Sequence, residues 1–321
     1  MSMASPAQGI DWTRVRQTCG RFSLPVVAIA LVLVAGLVSP TFLQPQNLRN
    51  MAIQAVPLGL VVLGQTFVIL VRGLDLSVAS MMATAAVIAT SFASTSDAMI
   101  LPIFLTVIAF SAGVGAVNGW LVVSRGVSPF LATLATMIIL QGLRFTYTGG
   151  TPASTLPPGM AYLSRGVILG VPFNLVVLIV LTLVLGALLN FSAFGRRVMM
   201  VGGNPEAARL VGINPQVVTL LCYVICSVMA GLGGLFLLSY IGVVSNFLGQ
   251  GYEIDSIVAA AVGGIALTGG RGTLTGALFG VAILVVISNL VVLLGMPLES
   301  QIIVKGLIVL GAAAFYRSRM Q

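Results

Sequence analysis

The chain has 321 residues, of which 58% are hydrophobic and 7% charged, and its formal net charge is +8. Soluble domains carry about 25% charged residues, so this composition excludes a soluble protein and predicts a polytopic membrane protein. The basic residues occur singly between apolar runs and do not cluster on one face, which argues against nucleic acid as a partner. Their expected role is to fix the orientation of the chain in the membrane.

About ten apolar spans are predicted, because a helix of about 20 residues crosses the hydrocarbon core. A polar tail, 1–21, precedes the run Phe22–Val38, which lacks a cleavage site and is expected to remain as the first span. The other predicted spans are Met51–Val71, Val78–Ser96, Ile100–Val123, Phe130–Tyr147, Val167–Phe191, Val217–Ile241, Ile254–Leu267, Leu274–Leu294 and Gln301–Tyr316. Residues 22–316 are thus expected to form one all-α transmembrane domain, followed by a short tail, 317–321. Spans 2–5 and 7–10 start from opposite sides and are candidates for an inverted repeat.

The longest polar stretch of the chain, 195–214, lies between the sixth and seventh predicted spans. It holds a capping residue, a first-turn proline, a first-turn acid and a terminating glycine, namely Asn204, Pro205, Glu206 and Gly212. This order predicts one short helix, Pro205–Val211. Spacing alone leaves two interpretations open: a helix gripped by a soluble partner, or an ordinary loop whose arginines fix topology.

The distribution of basic residues predicts the orientation of the chain. With the N-terminus in the cytoplasm, eleven of the 15 basic residues fall on the cytoplasmic side. Arg49, Arg144 and Arg165 fall on the other side, and Lys305 lies within the last span. Because arginine and lysine accumulate on the cytoplasmic side of membrane proteins, both termini and segment 195–214 are predicted to be cytoplasmic.

The chain carries little that could perform catalysis. It has no histidine, the commonest general base, and only seven acidic residues. Cys222 and Cys226 lie one helical turn apart with no histidine or carboxylate nearby, so they are expected to pack and not to bind metal. No phosphate-binding loop of the GxxxxGK(S/T) kind occurs. We therefore expect no catalytic residue, no metal site and no cofactor.

Six motifs, in order along most of the chain, carry a resemblance to a known family. They are GLDLSV (73–78), NG (118–119), PFLATL (129–134), GGNPEAARLVGIN (202–214), YEIDSI with GGRGTLTG (252–257 and 269–276) and KG (305–306). Through them the chain resembles the permease subunit of a bacterial ribose-type ABC sugar importer. Arg72 and Leu74 stand where that family more often has glycine and isoleucine.

The resemblance implies a pathway for a sugar across the inner membrane, formed with a second permease subunit. A cytoplasmic ABC ATPase would hold ATP and magnesium and dock on segment 195–214, and a periplasmic sugar-binding protein would deliver the substrate. The docking residues implied are Gly203, Asn204, Pro205, Glu206, Arg209 and Gly212. The outward loop Thr148–Arg165, together with Arg49, is the expected contact for the delivery protein. The identity of the sugar stays open.

Five polar residues near or within the membrane are candidates for gating or for the pathway: Asp75, Ser77, Asn118, Asn289 and Lys305. Structural roles stand beside each of these. Asp75 suits a cap for the third span or an ion pair with Arg72. The two asparagines suit hydrogen bonds between helices, and Lys305 needs an acidic partner, water or the membrane surface.

Two other classes of function remain at this stage. An ion-coupled secondary carrier for a small polar solute would share the ten-span architecture, but it needs intramembrane acidic residues, which are scarce here. An intramembrane hydrolase would need an activated nucleophile, and without histidine Lys305 would have to serve as its base.

Overall fold

The computed structural model describes residues 12–152, 155–297, 299–300, 302–304 and 306–307, and these residues are mainly helical. The helices are α1 Trp12–Val38, α2 Pro45–Leu70, α3 Val78–Ser91, α4 Ile100–Arg125, α5 Pro129–Thr148, α6 Tyr162–Arg165, α7 Phe173–Phe191, α8 Ala193–Gly203, α9 Pro205–Leu210, α10 Pro215–Ile241, α11 Tyr252–Val262 and α12 Leu274–Leu293. Two 3-10 helices, Asp97–Met99 and Pro158–Ala161, and an antiparallel hairpin of β1 Val167–Ile168 with β2 Val171–Pro172 complete the order.

Within the described residues, six helices are long and apolar enough to cross a membrane: α2, α4 with the 3-10 turn before it, α5, α7, α10 and α12. Shorter apolar helices are α3 and Leu24–Val38 of α1. These features confirm an all-α, multi-pass membrane protein, but they do not confirm about ten spans. Most of the predicted tenth span, including Lys305, lies outside the described residues.

The first two predicted spans begin earlier in the structure, at Trp12 and Pro45, and three others are shorter by five or six residues at one end. The sixth was expected from Val167, but the residues before Phe173 form the hairpin, whose turn places Leu169 and Gly170 at φ 50° and 83°. The third ends at Ser91 and not at Ser96. The eighth stops at Val262 because Gly263 follows as the C-cap and the next glycine has φ 84°, outside the helical region.

Two helices form the centre of the bundle. α2 is almost wholly buried and α10 is mostly buried. α10 packs against α2, α3 and α4, whereas α2 packs against α10, α11 and α12. The helices α2, α3 and α4 form one half, and α10, α11 and α12 form the other. Each half has a long, a short and a long helix in that order, and its first long helix packs against the short helix of the other half. The inverted repeat of spans 2–5 and 7–10 would produce this arrangement, and the repeat stays a prediction.

The bundle has two distinct ends. At one end α2 and α4 finish and α10 begins, since Gln216 Nε2 donates to the Val123 carbonyl at 3.2 Å. The helices α8 and α9 lie at this end, which we name the α8/α9 end. At the opposite end Gln54 Nε2 donates to Tyr240 Oη at 2.8 Å, joining the start of α2 to the finish of α10.

The contact between α4 and α10 depends on a glycine. A Cβ atom built on Gly115 would lie 2.5 Å from the Tyr223 carbonyl oxygen and 2.7 Å from Val224 Cα, both backbone atoms of α10. Backbone atoms of a packed helix cannot turn aside as a flexible side chain can. The two helices can therefore approach this closely only because residue 115 has no side chain.

We expect Gly115→Ala to destabilise the protein by about 1–3 kcal/mol, the usual result of overpacking. Gly113→Ala is the matched control, because a Cβ atom there meets nothing within 4 Å. Thermal unfolding in detergent, followed by the loss of the monodisperse peak on size exclusion, measures both variants. Equal midpoints for the two would contradict the close helix contact.

Candidate functional site

The polar stretch 195–214 folds as two consecutive helices and not as a loop with one helix. α8 ends at Gly203 and α9 begins at Pro205, with Asn204 between them. Asn204 Oδ1 accepts from the backbone N–H groups of Glu206 at 3.0 Å and Ala207 at 3.1 Å, so the predicted cap is confirmed. Sequence reasoning missed α8 because glycines near its end resemble a loop.

α9 projects from the bundle with most of its surface uncovered. Ala208 is buried, while Glu206 and Arg209 are exposed. The chain then continues through Leu210, 89% exposed, and Val211, 63% exposed, before Gly212 turns it at φ 78°. Exposed apolar side chains flanked by charged groups are typical of a surface that another protein covers.

The base of α9 is fixed to the end of α2. Arg72 Nε donates to the Gly202 carbonyl at 2.7 Å, and its Nη2 donates to the Gly203 carbonyl. A cation at a helix C-terminus is favourable, because the last carbonyls of the helix lack partners and carry partial negative charge. Gly270 N also donates to the Leu70 carbonyl at 2.9 Å, so the glycine-rich turn before α12 joins the same contact.

The predicted ion pair between Arg72 and Asp75 is therefore wrong. Arg72 has φ 66°, a left-handed conformation that directs the chain through a sharp turn after α2. Its guanidinium bonds to the final carbonyls of α8, while Asp75 bonds within the connector between α2 and α3. A left-handed backbone favours glycine. This accounts for the glycine that ribose-type permeases more often have where this chain has Arg72.

Three of the five polar candidates meet in one buried chain of hydrogen bonds. Asp75 Oδ1 accepts from Ser77 N at 2.8 Å and from Ser77 Oγ at 2.6 Å. Ser77 Oγ accepts in turn from Asn118 Nδ2 at 3.0 Å, and Asn118 Oδ1 accepts from Thr136 Oγ1 at 2.6 Å. This polar chain joins the connector between α2 and α3 to both α4 and α5. We name it the Asp75 network.

The Asp75 network includes two residues that sequence reasoning missed. Thr136 follows the PFLATL motif by two residues, and Gln65 is a fully buried amide on α2. With its amide assigned by its hydrogen bonds, Gln65 donates to the Asp75 carbonyl at 3.3 Å and accepts from Asp75 N at 3.2 Å. Polar residues inside predicted spans were the available signal, because a buried amide needs partners in hydrocarbon.

Asp75 does not cap α3, because the N-cap residue of that helix is Ser77, two residues further along. Its carboxylate accepts from Ser77, the residue that precedes α3, and not from an amide of the first turn of the helix. Asn289 lies elsewhere, at the opposite end, where it exchanges two hydrogen bonds with Asn47 at 2.9 and 3.0 Å. That pair joins α2 to α12. Lys305 lies outside the described residues.

Residues 47–313 match the family described as "Branched-chain amino acid transport system / permease component". The chain belongs to this permease family. The chain is also similar to the "Ribose import permease protein" of Bacillus subtilis (strain 168), with 35% identity over 90% of each chain. No solved structure gives a significant match to the chain.

Two further relatives align with about nine-tenths of this chain. The "Ribose import permease protein" of Escherichia coli (strain K12) is 32% identical over 89% of this chain and 90% of the relative. The "Galactose/methyl galactoside import permease protein" of the same strain is 32% identical over 90% and 92%. The chain is thus a non-catalytic, multi-pass permease component of the inner membrane.

Replacing Arg72 by glutamine should loosen the α8–α9 segment. The change removes the charge from donors to Gly202 and Gly203, and for an exposed guanidinium the expected loss is about 1 kcal/mol, a roughly five-fold rise in local opening. Amide hydrogen exchange of residues 200–212 measures this opening. Arg125→Gln is the control, since Arg125 lies at the same end but contacts the Trp120 ring at 4.9 Å. Equal amide exchange rates of residues 200–212 in the two variants would contradict a stabilising role for the Arg72 hydrogen bonds.

Proposed function

We propose that this chain is the transmembrane permease subunit of an ABC importer and forms part of the translocation pathway for a sugar. The main support is the similarity to relatives named as ribose and galactose import permeases. Each alignment covers about nine-tenths of this chain and of the relative. The family description names branched-chain amino acids, whereas the relatives reported above are named for sugars. Similarity over the full length to sugar permeases favours a monosaccharide, and no relative named above supports an ion-coupled carrier.

The ATP that drives import would be hydrolysed by a separate cytoplasmic ATPase seated on α9. The exposed surface of Glu206, Arg209, Leu210 and Val211 supports this, because it offers charged groups beside apolar area. Gly203, Asn204, Pro205 and Gly212 shape the segment rather than supply its contacts. The excess of basic residues at the α8/α9 end supports a cytoplasmic location for this end and for both termini.

A route for mechanical coupling runs from α9 into the bundle. Movement of α9 would pull on Gly202 and Gly203, and the Arg72 guanidinium would carry that displacement to the connector that follows α2. Three residues further along, Asp75 begins the hydrogen bonds that reach α4 and α5. The Asp75 network would then act as a gate element whose rearrangement tilts these helices, with ATP binding on the partner as its cause.

The opposite end would face the periplasm and receive a sugar-binding protein. Residues 155–165 of the predicted loop are held to the bundle there, since Gly159 N donates to Asp97 Oδ1 at 2.7 Å and Ser164 Oγ donates to the Ser239 carbonyl at 2.9 Å. At the end of this segment Arg165 is exposed and Tyr162 is 50% exposed. A fixed loop with exposed polar and aromatic groups suits a delivery partner. A second permease subunit would complete the pathway.

The sugar assignment is tested by uptake into proteoliposomes that contain the intact complex and its binding protein. We expect ATP-dependent uptake of labelled D-ribose or D-galactose and no uptake of labelled L-leucine. Uptake that survives without ATP would support a secondary carrier instead. Uptake of leucine alone would replace the sugar by an amino acid while leaving the importer assignment intact.

The coupling assignment is tested by co-purification from native membranes. An ABC ATPase should accompany the intact chain and be lost from the double variant Glu206→Arg, Arg209→Glu, because both exposed charges of α9 are reversed. Arg125→Gln, at the same end but on α4, should retain the ATPase. Retention by the double variant would remove α9 from the docking surface.

A further inference from the structure

A polar cleft lies near the opposite end of the bundle, between the start of α3, the finish of α5 and the segment 242–251. Its cavity volume is about 100 Å³, and with the open space at its mouth the unfilled volume is about 420 Å³. The polar side chains that line it include Arg144, Gln141, Asn246, Gln250 and Glu253. We name it the Arg144 cleft. None of these residues belongs to the Asp75 network or to α9.

Arg144 is the one charged residue of α5 and is buried, with 5% of its surface exposed. Its Nη1 donates to the Ser80 carbonyl at 2.7 Å and to Thr84 Oγ1 at 3.1 Å, and its Nη2 donates to the Asn246 carbonyl at 3.1 Å. Within the described residues none of these acceptors is a carboxylate, and Arg144 Nε has no partner. A guanidinium at such depth is costly to place, so a functional role is the first explanation to test.

Asn246 supplies the complementary group. Its amide nitrogen donates to Thr148 Oγ1 at 3.1 Å and to the Gly150 carbonyl at 3.3 Å, which ties segment 242–251 to the end of α5. Its Oδ1 is buried and has no partner. Two residues that line the cleft thus each keep a buried polar atom without a partner, a donor on Arg144 and an acceptor on Asn246. A hydroxyl group donates and accepts at once, so ligand hydroxyl groups can satisfy both atoms when these two side chains turn towards the cleft.

The remaining lining narrows the class of ligand. Glu253 brings a carboxylate to the same cleft as the guanidinium, so the charges of the two groups oppose each other and do not select an anion. Gln141 and Gln250 add planar groups that donate and accept. Phe247 is 54% exposed at the rim and packs edge-on against Phe145, with ring centroids 5.6 Å apart. Balanced donors and acceptors beside an aromatic face suit a neutral polyhydroxylated molecule.

We infer that the Arg144 cleft is a contact site for the transported sugar, which deepens the proposed function and rests on it. Gln141 and Gln250, whose side chains are partly or fully exposed, would bond to the sugar hydroxyl groups first. Arg144 and Asn246 would turn towards the sugar and pair their unpaired atoms with it. On the predicted orientation the cleft lies towards the periplasm, where a delivery protein releases its sugar. Such a site discriminates between sugars by the placement of their hydroxyl groups.

A second polar cleft on the same end provides the control. It is lined by Gln54, Tyr240, Tyr252 and Ser288, among others, and lies between α2, α10, α11 and α12. There Gln54 already donates to Tyr240 at 2.8 Å. Gln54→Ala removes the same side chain type from this second cleft and leaves the Arg144 cleft unchanged.

The test compares uptake of D-ribose and of D-galactose by the reconstituted complex carrying Gln141→Ala, Gln250→Ala or Gln54→Ala. Neither Gln141 nor Gln250 makes a side-chain hydrogen bond that the fold requires within the described residues, so both variants should assemble. We expect each of these two to change the ratio of ribose to galactose uptake by about five-fold, the effect of one hydrogen bond. Gln54→Ala should leave the ratio unchanged.

The possible outcomes separate the two proposals. An unchanged ratio in both cleft variants, with the intact complex importing sugar, overturns the Arg144 cleft and leaves the proposed function standing. A ratio altered only by Gln54→Ala moves the sugar contact to the second cleft. An intact complex that imports neither sugar removes the sugar assignment and the ligand class of the cleft together. A uniform fall for both sugars indicates a structural role and also contradicts the inference.

Discussion

The absence of water from the hydrocarbon core governs this structure more than any single contact. A helix satisfies its own backbone, but wherever a helix stops inside the bundle its free N–H and C=O groups must find partners in the protein. The chain has two such breaks, where buried non-helical backbone follows α2 at Asp75 and follows α10 at Asn246. At the first break the Gln65 amide pairs with the backbone N–H and C=O of Asp75. At the second break the Arg144 guanidinium donates to the backbone carbonyl of Asn246. Buried polar side chains make both breaks possible.

The two breaks lie at opposite ends of the bundle and differ in what they leave unpaired. The connector after α2 is closed into the Asp75 network and tied by Arg72 to the base of α9. The segment after α10 is held by Arg144 and Asn246, yet each keeps one polar atom without a partner. In the proposed importer the first break would transmit movement and the second would meet the substrate.

Close packing around α2 and α10 allows a displacement of α9 to be passed on to the bundle. Gly115 lets α4 approach the backbone of α10, and Gly202 sits where a Cβ atom would lie 1.8 Å from the Leu70 carbonyl oxygen. Contacts of this kind resist compression, because no side chain can rotate to absorb a displacement. A shift of α9 would therefore be passed on to α2 and the helices around it, and would not be lost in loose packing.

The sequence by itself determined the class of protein, the position of most apolar helices, the cap at Asn204 and the family, because these depend on composition, periodicity and local motifs. It located Asp75, Ser77 and Asn118 as polar residues that needed partners. Only the tertiary structure decided that these three meet with Thr136, that Arg72 bonds to α8 and not to Asp75, and that Arg144 is buried and not a topology signal. Those outcomes depend on which helices become neighbours, and a buried polar group takes its partner from the neighbour that the fold provides.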